Sequence, residues 1–165
     1  MGKHIKNGIF LIFLIILSFA YSCSKNETAS EIRIGGIFDL TGATHEICVP
    51  YADGIRKYID YVNEKGGING RKVRLIEADY GYLLPKSKEI YDKLVKKDKV
   101  HAILGWGTGD TEHLVPYVTR DKVPFMSGAY SQKLGIIDKA PYNFLIGVTY
   151  SDQMRIALRY ILESW

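Results

Sequence analysis

Short Ile- and Val-rich runs alternate along this chain with longer stretches whose apolar residues recur every three to four positions, and that alternation predicts the fold. Ile32, Ile34, Ile37 and Phe38 form the first run, read as a buried strand that leads into a loop over 39–44. From Tyr51 the positions Ala52, Ile55, Ile59 and Val62 trace one face of a helix, and Gly66 and Gly67 stop it. Tyr51, Tyr58 and Tyr61 lie on or beside that face and read as core packing. The turn dipeptide Asn69-Gly70 opens a second strand over 73–78. After an exit loop over 79–85, Ile90, Leu94 and Val95 mark one face of a helix over 86–98, whose lysines form a solvated face. A third strand over 100–104 precedes a helix from Thr111 to about Arg120 that carries Leu114, Val115 and Val118. A fourth strand covers 122–126, with Pro124 near its start where a missing NH does least harm. A fifth covers 142–147, and Met154, Ala157, Leu158, Ile161, Leu162 and Trp165 then form a helical stripe.

Strands alternating with helices in this order predict an α/β fold, a parallel sheet flanked by helices on both faces. Ligands of such sheets lie outside the carboxyl ends of the strands. Here those ends are residues 39–46, 79–82, 105–111 and 127–131, all on one rim. Within the rim, Gly105, Gly107 and Gly109 alternate between the third strand and the helix after it. Backbone NH groups at such a helix start lack intrahelical partners, and glycines let an anionic group approach them. Asp110 reads as the N-cap of that helix; were it to face a ligand, an amino or amide group would be its natural partner. Trp106 and Tyr130 occupy neighbouring exit loops and read as aromatic walls of a cleft, with the Thr108 and Ser131 hydroxyls giving orientation. The alternative for Trp106 is that it packs under the loop and orders it.

Catalytic chemistry has little to stand on. The chain lacks a nucleophile elbow, a phosphate loop ending in Gly-Lys and paired His/Cys ligand spacing. Gly105-x-Gly107-x-Gly109 is not the dinucleotide fingerprint, which follows the first strand of its unit. His45, His101 and His113 are scattered and read as surface or capping residues. No enzyme activity, cofactor or metal is expected.

The amino-terminal segment changes the picture of where the chain works. Lys3, His4 and Lys6 precede an apolar run over 8–20, too short to span a membrane comfortably and followed by small residues and a cysteine. Residues 1–22 read as a secretory signal. The tetrad ending in Cys23 resembles a bacterial lipobox, which would make Cys23 the lipid-bearing first residue of the mature protein; ordinary signal cleavage nearby is the alternative. Residues 23–31, polar and free of large apolar groups, are a flexible tether. Of the two cysteines only Cys48 then remains in the domain, so no structural disulfide is expected. The formal charge of +4 includes Lys3 and Lys6, and about +2 without them does not imply nucleic acid.

The chain from Ile32 onward resembles the solute-binding proteins of ATP-driven branched-chain amino acid and amide importers, the type I periplasmic binding fold. The resemblance rests on Thr41-Gly42, on Gly54, on the run Asn63-x-x-Gly66-Gly67-Ile68-x-Gly70, and on the loops around Gly105 and Ala129. It implies an extracytoplasmic protein that hands an amino-acid-like or other carboxylate ligand to a membrane permease; a receptor's ligand-sensing ectodomain is the alternative. By the same resemblance the ligand's polar groups fall to Gly109, Ala129 and Ser131, so the expected site is Trp106, Thr108, Gly109, Ala129, Tyr130 and Ser131. Gly109 stands where relatives carry a serine, Ile47 where they often carry an aromatic residue, and Tyr82 where a disulfide cysteine can occur. These departures leave an aromatic or other carboxylate ligand open. The family has two lobes, and the resemblance assigns residues 32–150 to the first and 151–165 to the start of the second, the chain being truncated there.

Overall fold

A computed structural model describes residues 31–164; the expected signal, Cys23, most of the tether and Trp165 lie outside the described residues. Five strands, β1 (Ile32–Phe38), β2 (Val73–Asp79), β3 (Ala102–Gly105), β4 (Phe125–Ser127) and β5 (Asn143–Leu145), form one sheet in the order β2-β1-β3-β4-β5. Every neighbouring pair is parallel. Four helices connect or follow them: α1 (His45–Glu64), α2 (Leu84–Lys96), α3 (Thr108–Asp121) and α4 (Tyr150–Ser164), with a short 3-10 turn at Gln132–Gly135.

The sheet is covered from both sides because successive residues of β1 point to opposite faces. Ile37 belongs to the larger core with Tyr91, Leu94, Ile103, Leu114 and Phe125, which is the α2 and α3 side. Phe38 packs instead with Cys48 and Ala52 of α1. The connection from β1 through α1 runs to β2 at one edge, whereas β3 continues through α3 toward β4 and the other edge. The direction of winding therefore reverses between β1 and β3, which opens a crevice at their carboxyl ends.

Three helices begin earlier than the apolar periodicity indicates. α1 starts at His45 rather than Tyr51, with Pro50 inside it, α2 at Leu84 rather than Lys86, and α3 at Thr108 rather than Thr111. Their first turns carry polar, proline or glycine residues that make no apolar stripe, so periodicity cannot mark them. Pro85 falls in the first turn of α2, where its missing NH costs nothing. The expected core role fails for Tyr58 and Tyr61, which are exposed and stack on each other with ring centres 6.2 Å apart. Three residues apart, they share a strip beside the buried face.

The Asn63 signature has a structural explanation. Its side-chain NH2 donates to the Val73 carbonyl and its side-chain oxygen accepts from the Val73 NH, both at 2.7 Å, which locks the end of α1 to the start of β2. Between them Gly67, at φ +78, turns the chain where a Cβ would strike the Arg71 carbonyl.

Candidate functional site

The crevice at the ends of β1 and β3 is organised by Asp39. This carboxylate is completely buried and accepts from the Gly42 NH at 2.6 Å, the Thr44 NH at 2.7 Å and the Thr44 hydroxyl at 2.7 Å. The Thr44 oxygen in turn accepts from the Trp106 indole NH at 2.7 Å. A single chain of hydrogen bonds thus crosses the crevice from the exit of β1 to the exit of β3. The neighbouring exit loop is fastened in the same way: Asp79 accepts from the Leu40 NH, the Thr41 hydroxyl and the Gly81 NH. Burial works to raise the Asp79 pKa, but these donors outweigh it and hold the carboxyl below its ordinary value. Gly42 is needed for this arrangement, since a Cβ there would fall 2.3 Å from Asp39 and 2.5 Å from the Gly81 carbonyl oxygen.

Asp110 has a different job from the expected one. Gly107 is the N-cap residue of α3, and Asp110 lies inside the first turn, 1% exposed. Asp110 Oδ1 accepts from the Tyr80 hydroxyl at 2.7 Å, whereas its other oxygen is buried with no hydrogen-bond partner among the described residues. Burial pushes its pKa up to about 6 against the Tyr80 hydrogen bond. The same burial, with the Asp110 charge beside it, raises Tyr80 far above a free phenol. Any side chain at position 107 would meet Asp110 Oδ1 at 2.5 Å and the Tyr82 ring at 2.9 Å, so Gly107 lets the loop close over this pair.

The Thr108 and Gly109 NH groups precede the first helical bond, from the Thr111 NH to the Gly107 carbonyl, and so have no partner inside the helix. Gly109 is exposed and has open space around it, the nearest atom to an added Cβ being Leu84 Cδ2 at 3.6 Å.

Of the expected site residues, Trp106, Thr108, Gly109 and Tyr130 border this crevice. Trp106 is half-buried, packs against both cores, lies 5.2 Å from the Tyr51 ring and has its ring against Gly128. It thus orders the loop from beneath. Tyr51 donates its hydroxyl to the Gly105 carbonyl. Tyr130 packs edge-on against Tyr150, with centres 5.8 Å apart, and its carbonyl accepts the Tyr150 NH. Ala129 is fully buried, backbone included, and its NH donates to the Ser127 hydroxyl at 3.4 Å. Ser131 is turned aside, donating its hydroxyl to Glu112 at 2.5 Å.

Cys48 is a buried free thiol whose sulfur accepts the Asp39 NH, and burial pushes its pKa up to about 11. Asp39, Thr44, Tyr80, Tyr82, Glu112 and Tyr150 are the crevice residues that patterning missed. For Asp39 a signal existed, an Asp ending a buried strand with Gly three and Thr five positions on, the spacing of a side chain that bonds the backbone just ahead of it. Tyr80 and Asp110 carry no such local sign, being thirty residues apart.

Comparison with known proteins agrees with the geometry. Residues 31–165 match the family model described as periplasmic binding protein. An amino acid binding protein of Pseudomonas aeruginosa is 28% identical over 81 residues, 49% of this chain and 22% of the relative. The substrate binding protein of an ABC transporter from Aeropyrum pernix is 32% identical with a TM-score of 0.75, over 83% of this chain and 36% of that one. The branched-chain amino acid transporter substrate binding protein of Streptococcus pneumoniae, solved with isoleucine, is 25% identical with a TM-score of 0.67, over 72% of this chain and 34% of that one. The chain spans little more than a third of the length of these structures. Its parallel five-stranded sheet is that of the type I periplasmic binding fold, and with the crevice at the β1/β3 reversal and a family match from residue 31 to residue 165, this chain belongs to the periplasmic binding protein family.

Proposed function

We propose that the chain is the extracytoplasmic solute-binding component of an ABC importer, taking amino acids or amino-acid-like carboxylates and passing them to a membrane permease. The observation that carries this reading is the start of α3, where the NH groups of Thr108 and of the exposed Gly109 precede the first helical bond and, with the Thr108 hydroxyl, would hold a carboxylate. The pairing of relatives named for amino acid binding and for ABC transport supports the same class of ligand. In this reading Trp106 and Tyr130 wall the site, Gly109 leaves room for the carboxylate, the buried Ala129 packs beneath it, and Ser131 supports the wall through Glu112.

Gly109→Asp places a charge and bulk where the carboxylate would lie, in open space that leaves the fold intact. Ligand-observed NMR on the chain, which registers weak binding, should show amino acid or carboxylate signals saturating with the parent and losing at least tenfold in affinity with the variant. Equal binding by both would remove the helix start from the site. Anchoring through Cys23 belongs to the same proposal, and Cys23→Ala should shift the protein from the membrane to the soluble fraction; unchanged partitioning would refute the lipid anchor.

A further inference from the structure

Tyr82 is in a conformation that needs a reason. Its φ is +59, and the preceding Gly81 is at +58, so a bulky residue occupies the left-handed region where glycine or asparagine is the easy choice. The consequence is the position of its ring. It leans on Tyr80 with centres 5.9 Å apart, lies over Gly107, and remains 38% exposed at the edge of the crevice. Backbone strain of this kind persists at ligand clamps because the surroundings over-determine it.

Across the crevice stands a second aromatic group. Tyr150 is 55% exposed at the first turn of α4, held by its NH on the Tyr130 carbonyl and by its edge-on contact with the Tyr130 ring. The Tyr130 ring is itself fixed by close approach to Gly147, where an added Cβ would sit 3.0 Å from it. The hydroxyls of Tyr82, Tyr130 and Tyr150 have no hydrogen-bond partner among the described residues. Burial, then the charges of Asp110 and Asp39 and after them the Tyr150 phenol, raise the Tyr82 pKa. In the sheet order the loop of Tyr82, after β2, and those of Tyr130 and Tyr150, after β4 and β5, lie on opposite sides of β3, whose exit leads through Trp106 to the start of α3. Aromatic faces and edges attract a flat ring placed among them more than an aliphatic group of equal size.

We propose that Tyr82 and Tyr150 are specificity-determining residues and that the ligand is an aromatic carboxylate, its ring held against Tyr82 and the Tyr130–Tyr150 pair. This rests on the carboxylate-binding reading of the α3 start and adds the chemistry of the rest of the ligand. A free amino group is optional in this slot, so aryl carboxylates and aromatic amino acids share the chemistry that it recognises.

Ligand-observed NMR titrations of the chain with benzoate, phenylalanine, cyclohexanecarboxylate and isoleucine test it. Benzoate or phenylalanine, or both, should bind at least tenfold more tightly than cyclohexanecarboxylate and isoleucine, and which of the two aromatic compounds binds better reports whether an amino group is read. Tyr82→Gly, which relieves the left-handed backbone and so keeps the fold, should abolish the preference, bringing benzoate and phenylalanine to within about twofold of cyclohexanecarboxylate and isoleucine measured on the same variant. Tyr150→Ala should do the same in part. Isoleucine or cyclohexanecarboxylate binding as tightly as the aromatic compounds, or a preference unchanged in Tyr82→Gly, would overturn the slot and leave the importer reading standing. Absence of binding by every carboxylate would overturn both.

Discussion

Replacing Asp39 with alanine is expected to cost the chain about 3–5 kcal/mol of stability, a large fraction of what an ordinary domain has. The carboxylate is fully buried and its acceptor capacity is used by the Gly42 NH, the Thr44 NH and the Thr44 hydroxyl. Alanine leaves these donors facing a small void, and each buried unsatisfied group costs about 1–3 kcal/mol. One effect runs the other way, because the substitution also removes a negative charge from the neighbourhood of Asp79 and Asp110. Both of those have donors of their own, three at Asp79 and the Tyr80 hydroxyl at Asp110, so the relief is smaller than the loss. The damage should also reach the crevice, since Thr44 is the acceptor of the Trp106 indole. Urea unfolding read by circular dichroism measures the first effect, and weakened carboxylate binding the second. A midpoint that moves by less than the equivalent of about 1 kcal/mol would show that the loop keeps its shape without the carboxylate.

The readable parts of this molecule are those in which one residue type decides its own surroundings. Ile37 and Phe38 announce a strand buried on both faces, and each enters a separate core. Gly67, Asn69 and Gly70 mark a turn, and it forms with Ile68 and Arg71 bonded across it. The parallel sheet follows from alternation alone, and the crevice lies where its winding reverses. Less legible are contacts that depend on the finished fold. Asp110 has the composition of an N-cap residue, yet Gly107 takes that position because Tyr80, thirty positions earlier in the chain, supplies a buried partner that draws the carboxylate inward. Ser131, expected as a ligand hydroxyl, donates to Glu112, a partner that lies 19 positions earlier and that patterning does not show. Tyr82 gave no periodic signal, and its role depends on a backbone angle that sequence patterning does not report.

The isolated chain is expected to self-associate through α4. The stripe read from the sequence over Met154, Ala157, Leu158, Ile161 and Leu162 is present as a helix, and none of the residues of that helix is buried. Leu162 is 81% exposed and Met154 61%, with Ile156 and Tyr160 exposed as well. The first turn is anchored by Thr149, which exchanges hydrogen bonds with Asp152, and by the Tyr150 NH on Tyr130; beyond it the apolar side meets water. The sheet offers a matching surface, since Met126 on β4 and Phe144 on β5 are 42% and 49% exposed and the adjoining groove on α1 is lined by Tyr51, Ile55, Tyr58 and Ile59. Burying a Leu, Ile or Met side chain is worth about 1.5–3 kcal/mol, so the stripe taken together rivals the roughly 4–15 kcal/mol that association costs. An exposed apolar face of this extent favours association over solvation. Light scattering across a range of protein concentrations should therefore show dimers or larger species. The double variant Leu158→Glu with Leu162→Glu should be monomeric, because the charges cannot enter an apolar contact while the exposed helix tolerates them. A parent chain that stays monodisperse and monomeric at high concentration would show that the stripe is satisfied within one molecule, and α4 would then have to lie back on its own sheet.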